Sequence, residues 1–110
     1  MAMEHAASGE LLTILSDTPE HASGVSTLLV RAEHLEVFRL ALPAGKRTPS
    51  HAAAGTITIQ CLTGRVALET RTRTQIMTPG TLVYLADTEP HAVSALDDAA
   101  LLITILLHRR

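Results

Sequence analysis

Short apolar segments, each followed by a turn, run through most of the sequence, and this pattern limits the fold more than any other feature. The segments are rich in Leu, Ile, Val and Thr, and clusters of Gly, Pro, Asp and Ser separate them at intervals of about 8 to 12 residues. No segment has the length and period of a convincing long helix. Such a chain is typical of an all-β sandwich or barrel. The predicted strands are residues 25–31, 35–42, 56–62, 65–70, 75–78, 82–85, 91–95 and 99–107.

The predicted strand over residues 56–62 shows the clearest alternation. Its sequence is Thr-Ile-Thr-Ile-Gln-Cys-Leu, and a period of two places Ile57, Ile59 and Cys61 on one face. We expect this face to line the interior of a barrel. A catalytic cysteine needs an adjacent base or an electropositive setting. Because Ile59 lies two residues before Cys61 and Leu62 directly follows it, we interpret this cysteine as a small core residue and not as a nucleophile.

Size and composition argue against several classes of function. The 110 residues are enough for one domain, residues 1–110. The net charge of -2 gives no basic surface of the kind that nucleic-acid binding needs. Aromatic residues make up 2% of the chain, which disfavours a carbohydrate-binding lectin. The longest apolar run, residues 99–107, has about half the length of a membrane span. We therefore expect neither nucleic acid nor a membrane as a partner.

Cysteine usage and the N-terminal sequence predict a cytoplasmic protein. The single cysteine cannot form an intrachain disulfide, and residues 1–12 lack the basic start and apolar stretch of a secretory signal. Residues 1–24 form an N-terminal segment ahead of the clearest strand patterns. Within it, residues 1–9 receive no assignment, and residues 10–15 favour either a short helical turn or an opening strand.

Glycine and histidine recur at fixed spacing in two places. Gly45 is followed after five residues by His51 and later by Gly64, and Gly80 is followed after ten residues by His91. These two frames resemble the paired motifs of the cupin family, and the resemblance covers residues 35–107. The first motif falls on Gly45, His51, Ala53, Ile57 and Gly64, and the second on Gly80, Ala86, Thr88, His91 and Ala95.

The resemblance to cupins implies a fold and a site. The fold would be a jelly-roll barrel, also called a double-stranded β-helix, with its motif-bearing part at residues 35–107. In cupins, three histidines and a glutamate converge on a divalent metal, and such ligands suit Mn, Fe, Ni, Cu or Zn. Here Ala53 and Ile57 stand at two ligand positions and have no lone pair to donate. His51 and His91 remain as metal ligands, and two side chains would hold a metal weakly. The pocket lining would be Ala53, Ile57, Ile59 and Cys61.

Three functions are consistent with this degenerate motif. We favour a small cupin that binds a small molecule, or a weakly held divalent metal, between His51 and His91. In the absence of a metal, the two imidazoles could form hydrogen bonds or act as a general acid and base. The first alternative is a metal-dependent oxygenase or isomerase of the small-cupin type, in which the substrate supplies the missing donors. The second is a structural or regulatory dimer in which the two histidines are remnants beside a vestigial, dry pocket.

The last predicted strand indicates self-association. Residues 100–107 are apolar on both alternating faces except at Thr104, whereas a strand between core and water alternates in polarity. A second copy would cover the outer face without additional chain length. We therefore expect an obligate homodimer, with the similarly apolar residues 25–30 in the same sheet or interface.

Overall fold

The computed structural model describes residues 6–15, 26–48, 55–87 and 89–107. Regular structure in these residues consists of eight strands, which confirms the all-β prediction. No helix in the described ranges is long and apolar enough to cross a membrane. The strands are β1 (Ser26–Arg31), β2 (Leu35–Leu42), β3 (Thr56–Thr63), β4 (Val66–Thr70), β5 (Thr74–Met77), β6 (Leu82–Leu85), β7 (His91–Ala95) and β8 (Ala99–Leu106).

The strands form two antiparallel sheets that pack face to face. The larger sheet has the order β1-β2-β8-β3-β6 and the smaller has the order β5-β4-β7. The last strand, β8, lies between β2 and β3 and pairs with both. This central position explains why the inward side chains of β8 are apolar, since Leu101 and Ile103 belong to the core between the sheets.

Alternation along β3 follows the predicted pattern. Ile57, Ile59 and Cys61 are 3%, 1% and 1% exposed, respectively, and all three belong to the core. Cys61 is a free thiol, and burial raises the pKa of this thiol above its usual value. Its Sγ lies 3.2 Å from the carbonyl oxygen of Gly64. The residue therefore packs as a core side chain.

The three glycines of the cupin-like frame all adopt left-handed backbone conformations. Gly45, Gly64 and Gly80 have φ angles of +87°, +71° and +89°, a region that other residues avoid because of their Cβ. Gly64 has a second constraint. A Cβ at this position would clash with the carbonyl oxygen of Asp98 and lie 2.8 Å from the Cα of Ala99. The β3–β4 turn thus packs directly on the β7–β8 turn.

Residues 6–15 precede the first strand, and within them residues 10–15 adopt neither the helical turn nor the strand that their sequence favours. Their backbone groups bond elsewhere. The amide of Ala6 donates to the carbonyl of Leu29 at 2.7 Å. The Arg39 guanidinium, on the outer face of β2, donates to the carbonyls of Thr13 and Ile14 at 3.4 and 3.5 Å. The segment is therefore attached to the β1–β2 side of the large sheet.

Candidate functional site

A cleft of about 490 Å³ opens between the two sheets, at the end of the molecule where β4 finishes and β7 begins. One wall comes from the β4–β5 hairpin and the turn before β7, and it is mostly polar. The other wall comes from β6 and is mostly apolar. The cleft is lined by Thr70, Arg71, Thr72, Gln75, Val83, Tyr84, Leu85, Ala86 and Glu89.

Strand register explains why these side chains meet. Thr70 and Gln75 share the inward parity of the core residue Leu68, but they lie where the small sheet no longer packs against the large one. On the facing sheet, Val83 and Leu85 pair with the inward residues of β3. Polar and apolar surfaces therefore face each other across one opening.

His91 lies beside this cleft. It is 5% exposed, and its register partner on β4 is Thr70, a residue that lines the cleft. The Nδ1 atom lies 3.1 Å from the carbonyl oxygen of Glu89. Because a carbonyl oxygen can only accept a hydrogen bond, Nδ1 carries the proton, and in the neutral ring Nε2 holds the lone pair.

Two groups of opposite charge line the same opening. The Glu89 carboxylate accepts a hydrogen bond from the backbone amide of Arg71 at 3.4 Å. Within the described residues, the Arg71 guanidinium makes no ion pair, whereas the nearby Arg47 pairs with Glu69 at 2.7 Å. Arg71 is therefore a cation that a ligand could recruit.

An aspartate fixes the edge of the cleft. Asp87, in the loop between β6 and β7, accepts a hydrogen bond from the amide of Gly55 at 2.7 Å. Gly55 is buried and has a φ of +120°. This contact ties the start of β3 to the loop that carries Glu89.

Solved structures of other proteins have the same architecture. A conserved protein of unknown function from Streptococcus pyogenes is 19% identical, with each chain covered over its full length, 100% of both, and a TM-score of 0.80. A cupin superfamily protein from Desulfitobacterium hafniense is 13% identical over 90% of this chain and 100% of that one, with a TM-score of 0.77. The chain has the cupin fold. The jelly-roll prediction is therefore confirmed.

These similarities establish the cupin fold and not an activity. A salicylate 1,2-dioxygenase from Pseudaminobacter salicylatoxidans matches with a TM-score of 0.71 at 16% identity, over 78% of this chain but only 27% of that enzyme. No protein-family model matches the sequence, and no curated protein matches it.

The described donors do not fit the metal set that the cupin motifs imply. Ile57, at the glutamate position, is a core residue in register with Leu85 and Ile105 and presents only carbon. Within the described ranges, no group of three or more His, Cys, Asp or Glu side chains is placed to hold a metal ion. His51 and Ala53 lie outside the described residues, so the pairing of His51 with His91 stays a prediction.

The cleft differs from the lining that the sequence predicts. Ile57, Ile59 and Cys61 lie deeper, in the core, and the described lining comes from β6 and from the β4–β5 hairpin. The sequence pattern singles out neither Arg71 nor Glu89, since both lie between strands, where alternation gives no direction. The sequence feature that could have predicted the polar wall is the presence of Thr70 and Gln75. Alternation places both side chains inward, but both are too polar for a dry core.

Proposed function

We propose that the protein binds a small organic molecule reversibly in the cleft between β5 and β6. The observation that carries this proposal is the opening of about 490 Å³ with one polar and one apolar wall, because ligand sites typically combine an apolar surface with a few convergent polar groups. His91, with its ring fixed by the Glu89 carbonyl, would add a hydrogen-bonding nitrogen beside it.

The walls define the chemistry of the ligand. Val83 and Leu85 fit an apolar body, and the hydroxyl and amide of Thr70 and Gln75 fit hydrogen-bonding groups along one side. The Arg71 guanidinium favours a carboxylate or a similar planar anion, which it can bind through two parallel hydrogen bonds. A small amphipathic organic acid combines these features.

A divalent metal held weakly by His51 and His91 is the second candidate. The specific observation in its favour is the hydrogen bond from His91 Nδ1 to the Glu89 carbonyl, which fixes the orientation of the ring. An oxygenase or isomerase activity would require this metal together with donors from the substrate. We assign no reaction step to it, because Ile57 removes the carboxylate. We place the protein in the cytoplasm, where its one buried thiol would stay reduced.

Ligand screening against thermal unfolding tests the proposal. A set of small carboxylic acids, their amides and neutral polyols would be compared at equal concentration. A compound present at 100 times its Kd stabilises the native state by about 2.7 kcal/mol. We expect stabilisation by one or more carboxylic acids and a loss of the effect with the matching amides.

Two arginines of the same hairpin provide a matched control. Arg71 lines the cleft and Arg73 does not, although both are exposed. Arg71→Gln should weaken binding of the stabilising acid about tenfold, corresponding to about 1.4 kcal/mol, and Arg73→Gln should leave it unchanged. Equal losses in both variants, or the absence of any stabilising compound, would contradict the proposal.

A further inference from the structure

A second, smaller pocket adjoins the cleft on the side of the turn between β5 and β6. Its volume is about 180 Å³, and we call it the side pocket. It shares the lining residues Gln75 and Val83 with the cleft, so the two openings are parts of one groove. The side pocket is further lined by Leu68, Ile76, Met77, Thr81 and Leu82.

Sheet topology explains why this groove exists. β5 is an edge strand of the small sheet and β6 is an edge strand of the large sheet, and the groove runs between them. The turn that joins them, residues 78–81, is anchored to β3. The Gly80 amide donates to the Cys61 carbonyl, and the Cys61 amide donates to the Thr81 carbonyl, both at 2.9 Å. The far end of the groove is therefore bounded by hydrogen-bonded backbone.

The two ends of the groove differ in charge. Arg71 and Glu89 line the cleft, whereas no charged side chain lines the side pocket in the part of the chain that the structure describes. The polar residues of the side pocket are Gln75, at the boundary with the cleft, and Thr81, in the turn. Its other lining residues are Leu, Ile, Met and Val. A ligand with one anionic end and one uncharged, apolar end matches this distribution.

The size of the side pocket makes it an extension of the cleft and not a separate site. Ligand pockets typically measure about 300 to 1,000 Å³, and the side pocket, at 180 Å³, is below this range. Along β5 it extends from Gln75 to Met77, about 7 Å at the rise of a strand. This volume over this length is narrow, and it suits a linear chain better than a ring. The flexible Met77 side chain can adjust to such a chain.

We propose that the side pocket binds the aliphatic tail of a linear monocarboxylic acid whose carboxylate is bound by Arg71 in the cleft. This inference rests on the function proposed for the cleft and narrows its ligand to one chemical class. The tail would cover Ile76 and Leu82, which are 53% and 62% exposed, and burial of its methylene groups would increase affinity.

A chain-length series tests the proposal on the wild-type protein. Butanoic, hexanoic and octanoic acids would be titrated by isothermal calorimetry. Each added methylene group should lower the Kd about two- to fourfold, because it is buried in the side pocket. Octanedioic acid has the same chain with a carboxylate at both ends. It should bind about tenfold more weakly than octanoic acid, because its second carboxylate would lie against apolar side chains.

The ε-methyl NMR signal of Met77 reports where the tail lies. Met77 lines the side pocket and not the cleft, whereas Leu85 lines the cleft and not the side pocket. The other two methionines are Met1 and Met3, so the signal is simple to assign. Octanoic acid should shift the methyl signals of both Met77 and Leu85, and butanoic acid should shift that of Leu85 alone.

Two exposed leucines provide a matched pair of variants. Leu82 lines the side pocket, and Leu106 on β8 lines neither part of the groove. They are 62% and 51% exposed, so serine at either position should leave the fold intact, as circular dichroism would verify. Leu82→Ser should weaken binding of octanoic acid about fivefold, and Leu106→Ser should leave it unchanged.

The outcomes separate this proposal from the function proposed for the cleft. Equal Kd values for the three acids, an unmoved Met77 signal at saturation with octanoic acid, or equal losses in the two leucine variants would overturn the role of the side pocket, while binding of carboxylic acids by the cleft would stand. If none of the acids binds, the function proposed for the cleft is contradicted, and the role of the side pocket falls with it.

Discussion

The two ends of the interior are built from the same strands but differ in their closure. At one end, Val66 and Leu101 are both 0% exposed, and the β3–β4 turn packs on the β7–β8 turn. At the other end, the same strand β4 finishes at Thr70 beside an open cleft. The comparison shows that one alternating pattern can form a dry core and, a few residues further along, a wall suited to binding.

The largest expected effect is a gain in metal affinity at the open end when the missing ligands are restored. Ala53→His with Ile57→Glu completes the four-ligand pattern implied by the cupin resemblance, and we expect divalent-metal affinity to rise by orders of magnitude. Isothermal calorimetry with Zn²⁺ and Mn²⁺ measures the gain. The control is the same double variant carrying His91→Ala. A folded double variant with no gain would show that the ligand assignment is wrong.

Alanine substitutions at two paired residues, one in the core and one in the cleft, would compare the energetic contributions of the two environments. Leu68 and Gln75 are register partners, but Leu68 is buried and Gln75 is exposed. Leu68→Ala should lower the free energy of unfolding by about 2 to 5 kcal/mol, because it leaves a cavity in a packed interior. Gln75→Ala should cost less than about 0.5 kcal/mol. Urea denaturation checks both values, and similar costs would remove the distinction between the packed core and the cleft wall.

Alanine substitutions at two glycines test how much the close packing of turns at the closed end contributes to stability. Gly64 and Gly80 both have positive φ, but only Gly64 has neighbours within reach of an added Cβ. Gly80→Ala should cost about 1 to 2 kcal/mol for the left-handed backbone alone. Gly64→Ala should cost more, because the turn must also move away from Asp98 and Ala99. Equal unfolding free energies for the two variants would show that this close packing is unimportant.

The smallest expected effect concerns the exposed pair of Arg65 and Asp97 beside the closed end. Their side chains meet at 2.8 Å, and the hydrogen bond from Arg65 holds the pKa of Asp97 below its usual value. A lowered carboxyl pKa stabilises the fold above the unfolded pKa of about 3.9, and this stabilisation is lost as pH falls through the folded pKa. Asp97→Asn should therefore be slightly less stable than the wild type near neutral pH and equally stable in strong acid. A stability difference that does not change with pH would contradict this assignment.

Local pattern was sufficient to predict most of the strands. The boundaries of β2, β6 and β7 agree with the predicted residues 35–42, 82–85 and 91–95, because Gly, Pro or Asp residues border these alternating or apolar segments. The inward face of β3 followed from its period of two. The jelly-roll architecture was implied by the resemblance of the glycine and histidine frames to the cupin motifs. Three of these glycines lie in turns with left-handed backbone.

The site was less predictable, for physical reasons. The opening beside Thr70 depends on where the two sheets separate, and no local periodicity encodes that distance. Glu89 lies in a turn, where alternation gives no direction. Residues 10–15 have an ambiguous pattern because their partners, including the Arg39 side chain, lie about 25 residues away in the sequence.

Methyl NMR during a titration tests the central claim most directly, namely that the open end binds and the closed end does not. The titrant is the organic acid that gives the largest thermal stabilisation. The methyl signals of Val83 and Leu85, which line the cleft, should shift progressively and saturate. The signals of Leu101 and Val66 at the closed end should stay in place. Shifts confined to the closed end or to the outer sheet face, or no saturable shift at Val83 and Leu85, would contradict the account.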